Sequence, residues 1–396
     1  MFDQLNALPA DPLLGLITAF RNDPSPTKVD LGVGVYKDEN GHTPIMSAIQ
    51  KAAAIHLETE DSKTYITPVG VPGFVEGVKK LVLSENSTAL ADNRVSGLQT
   101  PGGCGALRIG AELLMRMKED VTVWLSDPTW ANHVPLLKSA GLTLASYPYY
   151  DATTSSIDFE AMDATLAKLG KNDVVLLHGC CHNPTGADLS FEQWKRVADR
   201  AAKQGFIPFV DVAYQGLGTG LDEDVQGLRY LSEQVDEMLI ATSCSKNFGL
   251  YRERTGSLLM QTKSAEQSNA ALTHAQDAAR ASYSMSPAYG GFLVDKILNQ
   301  ADLRAEWETE INAMALRIKS LRLGLVEKIQ ARDIEQDFSF IAEQKGMFTC
   351  LGLSKQQVHQ LRDNSAIYMA DSSRINVAGL NTHCLDYVAD AIKAVL

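Results

Sequence analysis

Short apolar runs that alternate with helical patterns restrict the fold of this chain more than any other feature. The runs are rich in Val, Ile and Leu and indicate buried strands, and the stretches between them carry apolar residues at helical spacing. Strands are predicted at 121–125, 174–177, 206–210 and 238–242, and helices at 159–169 and 191–204. Such alternation requires right-handed crossovers and gives a mostly parallel sheet covered on both faces. Ligands bind these sheets beyond the carboxyl ends of the strands.

The length of the chain and the character of its last third indicate two domains. The 396 residues are more than one core usually holds. A long charged stretch at 302–331 favours a helix and leads to an aromatic-rich region, short strands near 375–377 and a terminal helix at 383–395. The first forty or so residues are rich in proline and are expected to form loops. We predict a three-layer α/β domain at 46–300 and a small α+β domain built from 1–45 and 301–396.

The composition excludes several classes of protein. A formal net charge of −12 disfavours binding to nucleic acid or to an anionic membrane. The amino terminus shows no secretory signal, and no run of about 18 apolar residues predicts a transmembrane helix. The six cysteines are scattered, apart from one adjacent pair, which is not a disulfide framework. We therefore expect a cytoplasmic protein without nucleic-acid or membrane partners.

Lys246 directly follows the predicted strand 238–242, in the segment Ser243-Cys244-Ser245-Lys246-Asn247-Phe248-Gly249. A partly desolvated amine at a strand end loses its proton more readily and can attack an aldehyde. The hydroxyls of Ser243 and Ser245, with the guanidinium of Arg254, suit a phosphate group. On this segment alone, a surface lysine in a loop is an equally good interpretation.

Asp211 closes the apolar run 206–210, and Tyr214 follows three residues later. A carboxylate in this place could hold a proton on the ring nitrogen of a cofactor, and a tyrosine could donate to a ring oxygen. Taken by itself, Asp211 is more readily interpreted as the N-cap of a helix.

Two turns add further candidates for ligand binding. The glycine-rich turn at 100–107 opens a helix, so it offers backbone N–H groups to a phosphate. Its glycines are not spaced as in dinucleotide-binding folds. Asn183, in Asn183-Pro184-Thr185-Gly186, could bind a ligand oxygen or could cap the turn.

A cluster of metal-ligand residue types follows the strand at 174–177: His178, Cys180, Cys181 and His182. Zinc ligands are usually about two to four positions apart, and adjacent cysteines point in opposite directions on an extended chain. We therefore predict no metal site and interpret these residues as buried groups at a strand end.

The motifs of one protein family occur along the chain in a shared order and spacing. They are Leu31-Gly32-Val33-Gly34-Val35-Tyr36, Gln99-Thr100-Pro101-Gly102-Gly103, His178-Gly179-Cys180-Cys181-His182-Asn183-Pro184-Thr185-Gly186, Ala213-Tyr214-Gln215-Gly216, Ser245-Lys246-Asn247-Phe248-Gly249-Leu250-Tyr251 and Arg374-Ile375-Asn376-Val377-Ala378-Gly379. From end to end, the chain resembles the class I aminotransferases of the aspartate and aromatic amino-acid subgroup. The resemblance implies fold type I of the enzymes that depend on pyridoxal 5'-phosphate, and a homodimer with shared active sites.

The same resemblance implies roles around the cofactor ring. Lys246 would hold the cofactor as a Schiff base and shuttle the substrate proton. Asp211 would pair with the ring nitrogen, supported by His133. The remaining ring contacts are implied for Asn183, Tyr214 and the stacked indole of Trp130.

The resemblance also implies a phosphate cup and two carboxylate clamps. The cup would consist of Gly103, Cys104, Ser243, Ser245 and Arg254, completed by Tyr65 of the neighbouring subunit. Arg374 would bind the substrate α-carboxylate together with Asn183 and the backbone of Gly34. Arg280 would bind the distal carboxylate across the dimer interface, because a dicarboxylate suits two facing arginines.

Three positions depart from the family pattern, and all three lie where the substrate range could be tuned. Cys104 stands where the family usually has Thr or Ser, Met285 replaces a small polar residue near Arg280, and Thr64 replaces another residue close to the active-site entrance. We predict ping-pong transamination between L-aspartate and 2-oxoglutarate through pyridoxamine phosphate. The close alternative is an aromatic amino-acid aminotransferase with a dual aromatic and dicarboxylic range. A regulatory cofactor-binding module, a nicotinamide dehydrogenase and an enzyme of the same fold that catalyses β-elimination are the other hypotheses.

Overall fold

The structure is a computed structural model that describes residues 2–8, 12–118 and 120–396. None of the described helices combines the length and apolar character needed to cross a membrane. The helices are α1 (Pro12–Asn22), α2 (Ser47–Thr59), α3 (Pro72–Leu83), α4 (Thr88–Ala91), α5 (Gly102–Met117), α6 (His133–Ser139), α7 (Phe159–Leu166), α8 (Phe191–Gln204), α9 (Gln226–Gln234), α10 (Ala265–Ser282), α11 (Ala288–Asn299), α12 (Ala301–Gln330), α13 (Phe340–Glu343), α14 (Lys355–Ser365) and α15 (Leu385–Val395).

The strands form one large sheet and three small ones. They are β1 (Val29–Asp30), β2 (Val95–Pro101), β3 (Thr122–Asp127), β4 (Thr143–Pro148), β5 (Tyr150–Asp151), β6 (Ser156–Ile157), β7 (Asp173–His178), β8 (Ile207–Val212), β9 (Met238–Ser243), β10 (Thr255–Gln261), β11 (Phe348–Cys350), β12 (Ile367–Tyr368) and β13 (Arg374–Asn376). The large sheet has seven strands in the order β2-β10-β9-β8-β7-β3-β4. Strand β10 is antiparallel to both of its neighbours, and the other pairs are parallel.

The four strands predicted from apolar runs are β3, β7, β8 and β9, which confirms the mostly parallel sheet. Their apolar runs are continuous because helices cover both faces, so that β9 is buried over its whole length. Helix α8 has the predicted bounds, and local signals explain them. Ser190 and Gln193 form a capping box at its start, and Gly205 ends it with φ 78°.

The chain divides into two compact units. The larger comprises Pro44–Arg317 and Gln344–Gly346, and the smaller comprises the residues up to Thr43, Ile318–Glu343 and Met347–Leu396. Helix α12 begins at Ala301, where the sequence placed the start of the small domain, but its residues belong to the larger unit as far as Arg317 and to the smaller unit after it.

Each unit has its own apolar core. In the larger unit, Leu107 and Leu114 of α5 pack with Phe209 and Leu258 of the sheet. In the smaller unit, a separate cluster surrounds the parallel pair β1–β12 and the antiparallel pair β11–β13; it includes Leu31, Leu325, Leu361, Ile375 and Val388. The expectation of loops in the first forty residues is wrong for α1, since Pro12 begins a helix of 11 residues there. Proline is well tolerated at the first helical position because its missing N–H has no partner there.

The register of the sheet brings distant parts of the sequence to one edge. Pro101 at the end of β2 pairs with Thr255 at the start of β10. Gly256 pairs with Ser243 at the end of β9. His178 at the end of β7 pairs with Asp211 of β8. The residues that follow β2, β7, β8 and β9 therefore meet at the carboxyl edge of the sheet, where a ligand site is expected.

Candidate active site

A cavity of about 130 Å³ lies at this carboxyl edge of the large sheet. Ten of the residues predicted for the site line it: Gly103, Cys104, Trp130, Asn183, Asp211, Tyr214, Ser243, Ser245, Lys246 and Arg254. Most of these positions follow from the topology, because the carboxyl ends of parallel strands lie at the same edge, and Arg254 reaches this edge because it precedes the antiparallel strand β10. Residues more than a hundred positions apart in the sequence are thus gathered around one small volume.

Lys246 lies on the turn that follows β9, and its ammonium nitrogen is 4.7 Å from the centre of the Tyr214 ring. Removal from water lowers the pKa of Lys246, although the Asp211 carboxylate opposes this shift. A lowered pKa increases the fraction of neutral amine, which is the nucleophilic form. The side chain therefore has the environment of a reactive amine.

Asp211 lies inside β8, so the alternative interpretation as a helix N-cap is wrong. Nε2 of the buried His133 is 3.1 Å from its Oδ2, and Nδ1 of the same ring is 2.8 Å from Thr129 Oγ1. Desolvation is the largest influence on the pKa of Asp211 and raises it. The hydrogen bond from His133 and the nearby positive charges outweigh desolvation and leave the pKa lowered. Asp211 is therefore ionised at neutral pH and can hold a proton on a ligand nitrogen.

The residues around the amino terminus of α5 form a cradle that only glycine permits. Gly102 has φ 69°, and a Cβ built on it would lie 2.6 Å from a guanidinium nitrogen of Arg254. A Cβ on Gly103 would lie 3.2 Å from the Cβ of Ser243. Backbone N–H groups at a helix amino terminus, a guanidinium and serine hydroxyls together suit a phosphate. These residues fit the phosphate of a cofactor.

Cys104 also lines this cradle, on the first turn of α5. Its sulfur is 3.8 Å from Nδ2 of Asn132. Burial raises the pKa of the Cys104 thiol. The thiol is therefore neutral at neutral pH and adds no charge that would repel a phosphate.

Five predicted residues are not among those that line the cavity: Gly34, Tyr65, His133, Arg280 and Arg374. The Tyr65 side chain is 89% exposed. Arg280 is exposed in the last turn of α10, and its guanidinium donates to the hydroxyl of Ser284.

Arg374 and Gly34 lie in the smaller unit, and both are next to the Phe348 ring. The Arg374 guanidinium lies 4.5 Å from the ring centre and donates to the Gly32 carbonyl at 2.8 Å. A Cβ on Gly34 would approach the same ring to 2.9 Å. The smaller unit therefore brings the two predicted carboxylate-binding residues to one place.

His178 and Cys180 also line the cavity, although the sequence assigned them no role there. His178 Nε2 is 3.2 Å from Thr129 Oγ1 and so extends the chain of hydrogen bonds that begins at Asp211. Desolvation lowers the pKa of His178 to about 3, so its imidazole is neutral. The signal was available, because His178 directly follows a predicted strand, but the residue was interpreted as a buried group at a strand end with no role in the site.

The adjacent cysteines do not point in opposite directions as the sequence suggested. Cys181 has φ 52°, so the chain is not extended there. Among the described residues, the sulfurs of Cys180 and Cys181 and an oxygen of Asp224 come within 4.8 Å of one another. The Asp224 carboxylate, however, already accepts backbone N–H groups from Gly216, Gly218, Thr219 and Gly220. These hydrogen bonds occupy the carboxylate oxygens and hold the turn at 216–220, so Asp224 is a poor candidate for a metal ligand.

Comparisons with known proteins identify the family of the chain. The model of the aminotransferase class I and II family matches residues 26–392. The chain is 44% identical to the aspartate aminotransferase of Salmonella typhi over the full length of both. It is 43% identical to the aromatic-amino-acid aminotransferase of Pseudomonas aeruginosa, covering all of this chain and 98% of that protein.

Solved structures show the same relationship. The crystal structure of an aromatic-amino-acid aminotransferase from Burkholderia pseudomallei, covalently bound to pyridoxal phosphate, matches with a TM-score of 0.98 at 41% identity. The match covers 100% of this chain and 99% of that one. The cytoplasmic aspartate aminotransferase of Saccharomyces cerevisiae matches with a TM-score of 0.96 at 33% identity, covering 100% and 98%. The predicted fold type I is confirmed, and the chain belongs to the family of class I and II aminotransferases.

Proposed function

We propose that the protein is an aminotransferase that depends on pyridoxal 5'-phosphate and transfers the amino group of L-aspartate to 2-oxoglutarate, giving oxaloacetate and L-glutamate. The observation that carries the proposal is the cavity itself, where Lys246 and Asp211 stand beside a phosphate cradle. The full-length relatives named aspartate aminotransferase support the choice of substrates. When bound, the cofactor supplies an electron sink for the negative charge that develops at the substrate α-carbon.

Lys246 is the residue that would hold the cofactor covalently through Nζ. Because burial lowers its pKa, the amine is available as a nucleophile. Once released, the same Nζ can take a proton from the substrate α-carbon and return it elsewhere. One side chain thus performs both attachment and proton transfer.

Asp211 would keep a proton on the cofactor ring nitrogen, with His133 preserving the ionised carboxylate. Asn183 and Tyr214 would orient the ring through its oxygen, and Trp130 would stack over it. Trp130 is itself oriented by an edge contact with His133, whose ring centre is 5.2 Å away. Gly103, Cys104, Ser243, Ser245 and Arg254 would hold the phosphate.

Substrate recognition is proposed to depend on two arginines. Arg374, supported by Phe348, would bind the α-carboxylate together with Asn183 and the backbone of Gly34. Arg280 would reach the distal carboxylate in the active site of a second subunit, and Tyr65 would reach that subunit's phosphate cup. The exposure of Tyr65 and Arg280 supports a homodimer with shared active sites. We also propose a cytoplasmic location, which the six free thiols support.

An absorbance titration of the purified protein and of Lys246→Ala tests the proposal. The wild type should show a visible band that aspartate bleaches and 2-oxoglutarate restores, and the variant should not cycle. Borohydride reduction followed by peptide mass analysis should find the cofactor on Lys246. A protein that shows no band after addition of pyridoxal phosphate would contradict the proposal at its root.

The substrate choice needs a separate measurement. The ratio of kcat/KM for phenylalanine to that for aspartate should lie well below one. A ratio near one would favour the aromatic aminotransferase with dual range, for which the relatives from Pseudomonas aeruginosa and Burkholderia pseudomallei are the supporting observation. Release of ammonia or pyruvate without an amino acceptor would indicate β-elimination instead.

A further inference from the structure

Trp307 of α12 lies against the turn that bears Lys246. Its indole is the largest of the fully buried side chains. The indole Nε1–H donates to the carbonyl of Asn247 at 2.7 Å. The same ring stacks on Phe248, with the ring centres 4.4 Å apart and the planes at 3°. One side chain therefore contacts both of the residues that follow Lys246.

Other hydrogen bonds hold the residues before Lys246: the Cys244 N–H donates to the Thr255 carbonyl at 3.0 Å, and Nη1 of Arg254 donates to Oγ of Ser245 at 3.4 Å. Residues 245–248 belong to no helix or strand. The Gly249 N–H donates to the Lys246 carbonyl at 3.1 Å and closes the turn on itself. That bond sets the shape of the turn but not its direction relative to the rest of the larger unit. The contacts with Trp307 fix the two residues after Lys246 relative to helix α12.

Helix α12 is firmly attached around Trp307. Both oxygens of the Glu310 carboxylate accept backbone N–H groups at the start of α2, from Ser47 at 2.6 Å and from Ala48 at 3.0 Å. Glu306 accepts from the Ser47 hydroxyl at 2.7 Å. These carboxylates satisfy N–H groups that the residue before the helix, Met46, does not cap, and they complement the positive end of α2. Trp307 therefore projects from a stretch of helix that is held in place by α2.

We propose that Trp307 is a positioning residue for Lys246, which holds Nζ in place relative to Asp211 and the phosphate cradle through the Asn247 carbonyl and the Phe248 ring. The inference rests on the proposed function, in which Lys246 attaches the cofactor. Displacements of about an ångström between reacting groups are costly in catalysis, so a residue that sets the direction of the turn affects the rate.

The titratable groups around Lys246 make its position measurable. Asp211, Cys104 and Arg254 act on its charge, and the Tyr214 ring lies beneath its nitrogen. A turn that shifts or loosens changes the separation of Nζ from each of these groups and from water. The pH at which the visible band of the bound cofactor changes should then shift, whereas a side chain that only fills space would leave that midpoint unchanged.

Two substitutions test the idea in the holoenzyme. Trp307→Phe keeps an aromatic ring against Phe248 and removes the indole N–H, and Phe248→Leu removes the stack and keeps the indole. Trp194→Phe is the matched control, because Trp194 is also a buried indole of the larger unit, packs on Gly227 of α9 and does not line the cavity. Each protein is measured by visible absorbance against pH, by steady-state kinetics and by thermal unfolding.

Trp307→Phe should shift the midpoint of the visible band by about half a pH unit or more and lower kcat roughly tenfold. KM for aspartate should stay within about twofold, since other residues bind the carboxylates. Phe248→Leu should change the same two quantities in the same direction. Trp194→Phe should lower the unfolding temperature alone.

An unchanged midpoint and kcat in Trp307→Phe, together with a lowered unfolding temperature, would show that the indole only packs. If Trp307→Phe does not fold, the midpoint of the visible band and kcat of Phe248→Leu test the proposal in its place. A failure of the proposed function would give a different result, because the wild type itself would then show no visible band from a cofactor bound to Lys246.

Discussion

The imidazole of His133 and the carboxylate of Asp211 meet at 3.1 Å in the interior of the larger unit. Burial alone would raise the pKa of this carboxylate, and the hydrogen bond from His133 is the largest influence that lowers it. Thr129 connects His133 to His178, so the carboxylate stands at one end of a buried polar chain. The protonation state of the proposed cofactor ring therefore depends on residues that do not touch the cofactor.

His133→Asn should remove the hydrogen bond that stabilises the ionised carboxylate of Asp211. With the imidazole removed, desolvation is less opposed, so the pKa of Asp211 rises and the acid limb of the kcat profile moves to higher pH. We expect a loss in kcat of about 10-fold to 100-fold at neutral pH, by analogy with the removal of other preorganised electrostatic groups. Substitution of the exposed His274 by Asn is the control and should leave the profile in place. An acid limb at the wild-type pH in His133→Asn would contradict the assignment.

The buried His178 should make the stability of the protein depend on pH. Its pKa is lowered to about 3 in the folded chain, against about 6.5 when unfolded. Between these values the unfolded chain binds more protons, so the stability is complete above pH 6.5 and is lost as the pH falls toward 3. His178→Asn should reduce this slope by up to about 1.4 kcal/mol per pH unit in chemical denaturation between pH 6.5 and 4.5. An unaltered slope would mean that His178 is not held neutral.

Cys104→Ser should tighten cofactor binding. A hydroxyl is a stronger hydrogen-bond donor than a thiol, and a bond to a charged phosphate contributes about 1.5 kcal/mol or more, which corresponds to a dissociation constant roughly tenfold lower. Equilibrium titration of the apoprotein with pyridoxal phosphate measures the change. Cys384→Ser, in the smaller unit, should leave the dissociation constant as it was. Equal or weaker binding by Cys104→Ser would place the thiol outside the phosphate cup.

Arg280→Leu should impair the use of aspartate without impairing the transfer reaction itself. We expect kcat/KM for aspartate to fall roughly 100-fold or more, because a charge-paired hydrogen bond is lost, while the value for phenylalanine changes little. If Arg280 acts in the other subunit, hybrids of Arg280→Leu and Lys246→Ala contain one intact site. Random mixing should then restore about a quarter of the sites. No recovery on mixing would place Arg280 in the active site of its own subunit.

The sequence predicted the site better than its surroundings, and the reason is topological. Residues at the carboxyl ends of β7, β8 and β9 could be placed together because parallel strands leave no choice of edge. Helix α8 was predicted with its bounds because its capping box and Gly205 are local signals. By contrast, the φ of 52° at Cys181 is imposed by packing and has no such signal. For α1, Pro12 at the first helical position was a signal of the right kind and was interpreted as a loop.

Roles that depend on a second chain stay predictions for a different reason. Contacts within one chain do not show which site Tyr65 or Arg280 would serve, since both side chains are exposed. The position of Trp307 against the Lys246 turn was also invisible, because the two lie on elements separated by 60 residues and meet only through tertiary packing. Local patterns therefore predicted the elements and their edges, and long-range contacts decided the rest.

The pairing of β2 with β10 has a consequence for how the enzyme is made. β2 ends in the glycine turn of the phosphate cradle, and the neighbour to which it is hydrogen-bonded in the sheet is β10. A ribosome must therefore complete residue 261 before the cradle can be assembled, and closing so long a loop is slow compared with local folding. Cofactor capture therefore follows the synthesis of β10, and the segment before Gly102 and Gly103 has no partner strand while residues 104–261 are being made.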